Sequence, residues 1–243
     1  MVLQCVSNIL RTSCRRISNL SRSPVIAPLQ EAALEEKCIV VDDCDNAIGT
    51  ATKRDCHRVQ NDGSLILHRA FSVFLFNTKG ELLLQERSPT KITFPGYVTN
   101  SCCSHPLHEI EHERNEQNAI GVKLAAQRRL HYELGIPVEQ TNIEDFHYLT
   151  RIHYQATEDN IWGEHEIDYI LFLQKDVDLA PNSDEVSDVK FVKQEDFDSF
   201  LNSLKGPITP WFRLIVKNCL HDWWKNLDSL ERFKDHLNIQ KFG

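Results

Sequence analysis

No run of apolar residues in this chain approaches the roughly 20 that a helix needs to cross a bilayer, so the sequence contains no membrane span. Its eight cysteines are irregularly spaced and include the adjacent pair Cys102 and Cys103, which fits a reducing compartment rather than a secreted disulfide framework. No second cysteine pair stands at finger spacing, which argues against a structural zinc on those two thiols. Positive charge is not in excess. The net charge is −8, with acidic residues spread along the chain, so nucleic acid and anionic membrane surfaces are not expected partners unless basic residues converge locally. Internal repeats and low-complexity segments are absent, which excludes a solenoid or a linker array. The C-terminal "IQKFG" lacks a peroxisomal Ser-Lys-Leu signal.

Acidic residues are missing altogether before Glu31, in a leader that carries Arg11, Arg15, Arg16, Arg22 and several serines. Two readings fit residues 1–30: a mitochondrial transit peptide, or an untargeted disordered leader. Beyond it, 41% hydrophobic content over a chain of 243 residues allows one sizeable core, and no shift of composition within residues 31–243 asks for a second domain.

Strands and helices interleave in that domain. "CIVVDD" reads as a strand, and "RAFSVFLFN" and "ELLLQER" read as a hairpin about a turn at Lys79 and Gly80. From Glu116 to Leu134 the residues Ile120, Leu124, Ala125 and Leu130 recur at helical spacing, with Gly135 and Pro137 as stop signals. "FHYLTRIHYQA" and "HEIDYILFLQK" read as strands about the loop "TEDNIWG", and "VKFVK" as a shorter one. A helix over "WFRLIVKNCLHDWWKNL" begins at Pro210. The expected fold is α/β (α+β), a mixed β-sheet packed by helices.

In "WGEHEID" strand alternation sends Glu164 and Glu166 to one face and His165 to the other. Two such carboxylates repel unless water, cations or a metal relieve them. With His57, His68 and His105 they would suit a five- or six-coordinate Mn, Mg or Zn. Against this, the chain has eleven histidines, and spacing alone does not bring these three together. In "VTNSCCSHP", Cys103 can be a nucleophile, a proton donor with an ordinary pKa of about 8.5, or an inert thiol. Lys53, Arg87, Lys91 and Arg129 lie near predicted element ends, where they could gather on one phosphate or diphosphate or remain solvated surface cations.

In chain order, "FPGYVTNSCCSHP", "RRLHYELGIP", "LTRIHYQA", "IWGEHEIDY" and "ITPWF" closely resemble the type 1 isopentenyl-diphosphate isomerases, a branch of the Nudix superfamily. The resemblance spans roughly residues 35–236 and implies a Nudix-like mixed sheet packed between helices. The Nudix hydrolase signature ends in Arg-Glu-apolar-x-Glu-Glu-x-Gly-apolar. Here Arg128 to Ile136 keeps only Glu133 of its three glutamates, which favours isomerase over pyrophosphatase.

The resemblance implies interconversion of isopentenyl and dimethylallyl diphosphate, a supply step for isoprenoids and sterols. It implies metal ligands at His57, His68, His105, Glu164 and Glu166. It further implies a Mg2+ ion on the substrate diphosphate aided by Glu133, and diphosphate contacts from Lys53, Arg87, Lys91 and Arg129. Cys103 and Glu166 would be the proton-transfer pair, Tyr154 the tyrosine supporting Glu166, and Trp211 the aromatic lining of the hydrocarbon pocket; Cys102 is given no chemical role. A monomer is expected; the family points to cytoplasm or peroxisome, and the Arg-rich leader to a mitochondrion. Two other classes remain: a Nudix-type pyrophosphatase, and a non-catalytic metal or thiol-redox module.

Overall fold

A computed structural model describes residues 28–157 and 160–242. Most of the Arg-rich leader lies outside them, and its last three residues open the first helix. In chain order the elements are α1 (Pro28–Ala33), β1 (Lys37–Val41), β2 (Ala47–Thr52), α2 (Lys53–His57), β3 (His68–Phe76), β4 (Leu82–Arg87), β5 (Val98–Thr99), β6 (Cys102–Ser104) and α3 (Ile120–Leu134). There follow β7 (His147–Thr157), β8 (Gly163–Gln174), β9 (Val186–Val192), α4 (Phe197–Ser203), α5 (Pro210–Ile215), α6 (His221–Lys225) and β10 (Ile239–Phe242).

One mixed sheet runs in the order β10-β7-β8-β3-β1-β2, with β6 and β4 also on β3, and β5 and β9 on β4. At its centre β3 lies parallel to β8, with His68 opposite Glu166 and Ser72 opposite Ile170. Both strands are buried on both faces, as central parallel strands are. Alternate residues therefore build two cores. Phe71, Val73 and Leu75 with Ile167, Leu171 and Leu173 meet Val122, Ala126, Leu130 and Leu134 of α3. Phe74, Phe76, Ile170 and Phe172 meet Trp211, Phe212, Ile215 and Trp224 of the C-terminal helices. Phe172 stacks on both Phe74 and Phe76 at 5.3 Å between ring centroids; such pairs add about 0.5–1.5 kcal/mol to the burial of their surface.

Several boundaries differ from the sequence reading. The turn at Asn77–Gly80 exists, with Gly80 in the left-handed region that only glycine adopts freely. Beyond it β3 and β4 share the single pair Phe76↔Leu82 and then part, β4 to β5 and β9, β3 to β6 and β8. The expected hairpin is thus a corner. The helix begins at Ile120 rather than Glu116 because Asn118 and Ala119 both take positive φ, and it ends on left-handed Gly135 as expected. The long C-terminal helix starts on Pro210 but passes through a π-helical turn at Val216–Leu220, which divides α5 from α6. Strands β2 and β10 and helix α2 were not anticipated; β2 carries Gly49 in "AIGTAT" and β10 is a short parallel strand on β7.

Candidate active site

On the face turned to the C-terminal helices, the central strands change character along their length. Phe76 and Phe74 of β3 give way to Ser72 and His68, and Phe172 and Ile170 of β8 give way to Asp168, Glu166 and Glu164. The site lies at this polar end. Thr52 caps α2, accepting from the Asp55 amide at 3.1 Å and donating to the Asp55 carboxylate at 2.7 Å. That short helix sets Lys53 at its start and His57 at its end.

Five buried side chains meet there. His57, His68, His105, Glu164 and Glu166 each offer one donor atom, and all five atoms lie within 4.8 Å of one another. The three imidazole centroids form a nearly equilateral triangle, 4.8, 4.9 and 4.9 Å on a side. His57 Nδ1 faces the Lys53 carbonyl at 2.6 Å and His68 Nδ1 the Ile66 carbonyl at 2.9 Å. A proton on each Nδ1 leaves the Nε2 lone pair aimed inward, the tautomer of a metal ligand. Glu166 Oε1 lies 2.9 Å from His105 Nε2 and 3.5 Å from His68 Nε2. Glu164 Oε2 lies 2.8 Å from His57 Nε2.

Glu164 Oε2 and His68 Nε2 nevertheless make no hydrogen bond. Buried polar atoms that are close yet misaligned are what results when lone pairs point at a common centre instead of at one another. The donor set, three imidazoles and two carboxylates, fits a divalent cation. Burial pulls the His68 imidazole down, but Glu166, Cys38 and the Ile66 carbonyl outweigh it and raise it to about 9. Burial, then the charges of His68 and His57, drive His105 well below its ordinary value. Burial would raise Glu166, yet His68 at 3.5 Å, followed by the Tyr154 hydroxyl, lowers it.

Beside this cluster lies a pocket lined by Ser72, Cys103, Tyr154, Glu166 and Trp211, with Lys53, Arg87, Lys91 and Arg129 on its wall. Tyr154 Oη donates to Glu166 Oε2 at 2.5 Å. Cys103, opposite Ser72 on β6, is half-buried, and burial followed by the charge of Asp168 pushes its thiol up to about 12. Arg87 lies 5.8 Å from the centroid of the Trp211 ring. Cys102 points through the sheet into the core against α3 and is completely buried.

All four predicted basic residues therefore reach one pocket. Glu133 does not join the five-residue group: Arg129 occupies its Oε1 at 2.6 Å, and Gln85 its Oε2 at 3.3 Å. Five residues in and around this site were not anticipated: Glu185, Gln30, Asp168, Ser72 and Asn100. Glu185 pairs with Lys91 at 2.5 Å and Arg129 at 3.2 Å, and receives the Gln30 amide at 3.0 Å. Burial would raise its carboxyl, but Lys91 and Arg129 hold it at about 2. Asp168 accepts from Ser72 Oγ at 2.8 Å, and burial and then Glu166 push it well above the carboxylate range. Asn100 completes the set. Asp168 continues the Glu164, Glu166 alternation and could have been found from it; Glu185 sits in a polar loop with no signal.

Residues 66–212 match the NUDIX domain family. The chain is 52% identical over 215 residues to isopentenyl-diphosphate delta-isomerase 1 of Mesocricetus auratus, covering 87% of this chain and 94% of that protein. It is 52% identical to isopentenyl-diphosphate delta-isomerase of Gibberella zeae, covering 86% and 83%, and 49% identical to that of Dictyostelium discoideum, covering 86% and 90%. A Deinococcus radiodurans crystal structure superposes with a TM-score of 0.51 at 17% identity, over 75% of this chain and 98% of that one. At that identity the likeness speaks for the fold alone.

Proposed function

The chain belongs to the isopentenyl-diphosphate delta-isomerase family of the NUDIX superfamily, and on that premise we propose that it converts isopentenyl diphosphate to dimethylallyl diphosphate and back. The observation that carries this reading is one pocket holding a thiol, a carboxylate and an indole beside four cationic side chains.

The rearrangement adds a proton to the terminal methylene carbon and removes one from the carbon nearer the diphosphate, leaving composition unchanged. Positive charge builds at the tertiary carbon between them. An acid and a base must therefore flank the five-carbon unit. Cys103 and Glu166 are those groups. They rise from the strands at either side of β3 and line the same pocket. Tyr154 donates to Glu166 and fixes its orientation. The Trp211 ring face steadies developing positive charge, and the aromatic walls keep out water that would trap it.

Lys53, Arg87, Lys91 and Arg129 hold the diphosphate, so that the reacting carbons are positioned by the remote charged end. His57, His68, His105, Glu164 and Glu166 would hold a divalent cation, Mg2+, Mn2+ or Zn2+, whose charge relieves the repulsion of the buried carboxylates. A Mg2+ ion arriving with the diphosphate would sit toward Glu133. On this reading a monomer suffices, since one chain supplies every group named.

Incubation with isopentenyl diphosphate and Mg2+, followed by NMR identification of the product, tests the proposal. Dimethylallyl diphosphate is expected. Released phosphate would show a pyrophosphatase, and unchanged substrate a non-catalytic module; either overturns it.

A further inference from the structure

Asn100 lies between β5 and β6 and is completely buried. A buried primary amide costs about 1–3 kcal/mol unless its polar atoms are paired, and every one of these is. Nδ2 donates to the Val73 carbonyl at 3.0 Å and to the Cys102 carbonyl at 3.2 Å. Both amide hydrogens are thus committed to backbone on β3 and β6, which leaves the amide one orientation. Oδ1 must face the other way, into the pocket wall. It accepts from the Cys103 thiol at 3.0 Å, from Trp211 Nε1 at 3.2 Å and from the Thr99 hydroxyl at 3.0 Å. Trp211 Nε1 also lies 3.0 Å from Cys103 Sγ, closing a triangle. Thr99 Oγ1 in turn meets Thr209 Oγ1 at 2.8 Å, at the head of the helix that carries Trp211.

We propose that Asn100 is a positioning residue that fixes the Cys103 thiol and the Trp211 indole in one relation to each other on the same side of the substrate. This rests on the isomerase reading above. A thiol hydrogen turns freely about the Cβ–Sγ bond unless an acceptor holds it, and an indole stabilises a cation only from its face. One carbonyl oxygen, itself pinned by two strands, constrains both. Two backbone bonds through Nδ2 would be enough for a purely structural role. The convergence of thiol and indole on Oδ1 is what points to the chemistry.

The test uses the full chain with its metal, and two variants. Asn100→Ala removes the amide. Asn100→Asp keeps size and an acceptor but has at most one hydrogen for two backbone carbonyls, so its oxygen is no longer pinned. In whichever variant folds, kcat falls about 100-fold, the scale of an ångström-sized misplacement, while the Kd for inorganic diphosphate stays within about twofold of wild type, as expected if the basic wall is untouched. A five-carbon-sized tertiary-ammonium diphosphate, charged where the cation forms, binds at least about tenfold more weakly than to wild type, whereas its uncharged alkyl counterpart binds as before. This ratio does not depend on the fraction of protein folded.

A folded variant with kcat near that of wild type overturns the proposal. So does equal weakening of all three ligands, which would mean a collapsed pocket, and so does failure of both variants to fold, which would make Asn100 a structural residue. Wild-type protein that leaves isopentenyl diphosphate unchanged would instead sink the isomerase reading, and the ammonium-to-alkyl ratio would still report on Asn100.

Discussion

The two faces of β3 and β8 are made from alternate residues of the same strands, yet they do different work. Toward α3 the residues from Phe71 to Leu75 and from Ile167 to Leu173 stay in an apolar core throughout. Toward the C-terminal helices, Phe74, Phe76, Ile170 and Phe172 form a core at one end, and His68, Ser72, Glu166 and Asp168 form a polar site at the other. Buried charge is costly unless paired. The aromatic half of that face, rigid and close-packed, holds the costly half in register. Adjacent residues therefore differ in kind, and Cys102 and Cys103 are the sharpest pair.

The largest effect separates these two thiols. Cys103→Ser is expected to lower turnover by about three orders of magnitude or more, a hydroxyl being a far weaker acid, with diphosphate affinity retained. Cys102→Ser puts a hydroxyl into the buried face against α3, close to Glu133, at a cost of about 1–3 kcal/mol, and the folded fraction should turn over normally. Steady-state kinetics beside thermal melts distinguish the two; equal crippling of both enzymes would erase the contrast between the faces.

Next, His57→Ala combined with His68→Ala should abolish tightly bound divalent metal, read by elemental analysis, together with activity. Full metal content in the double variant would remove these histidines from the ligand set. On the opposite face, Leu130→Ala should cost about 2–5 kcal/mol of stability in chemical denaturation, while the Kd for inorganic diphosphate and the metal content remain those of wild type.

A smaller effect concerns pH. Burial pulls the Lys91 amine down to about 8, against the opposing charge of Glu185. Lysine is charged below its pKa, so raising the pH through 8 discharges it, and apparent KM should rise several-fold between pH 7 and 9. Lys91→Arg, charged throughout, should flatten that rise; an unchanged profile would show that the amine does not meet substrate. Smallest of all, removing residues 1–27 should leave kcat within about twofold if the leader takes no part in the site. Extending the deletion through Gln30 removes an amide bonded to Glu185 and should raise KM.

The parts of this arrangement that local rules govern were legible in the sequence. Strand alternation put Glu164 and Glu166 on one face, and Gly135 marked the end of α3. The resemblance placed the three histidines. Spacing could not, because their meeting depends on the parallel pairing of β3 with β8 and on α2, whose five residues are too few to show periodicity. The hairpin was overdrawn for the same reason: a turn signal fixes a corner, while the partners of β4 lie far along the chain in β9. Glu133 was expected beside a second cation on the substrate diphosphate; its Oε1 meets Arg129 and its Oε2 meets Gln85, partners that helical spacing shows only for Arg129.

The parallel pairing of β3 and β8 also bears on how the chain reaches this state. His68 and Glu166 face each other across a chain separation of roughly a hundred residues, and closing so long a loop costs entropy before any contact repays it. The ligand set assembles only once β8 has docked against β3, so a cation added during refolding should leave the early rate of collapse unchanged and slow the late rate of unfolding, acting as a latch on the finished sheet.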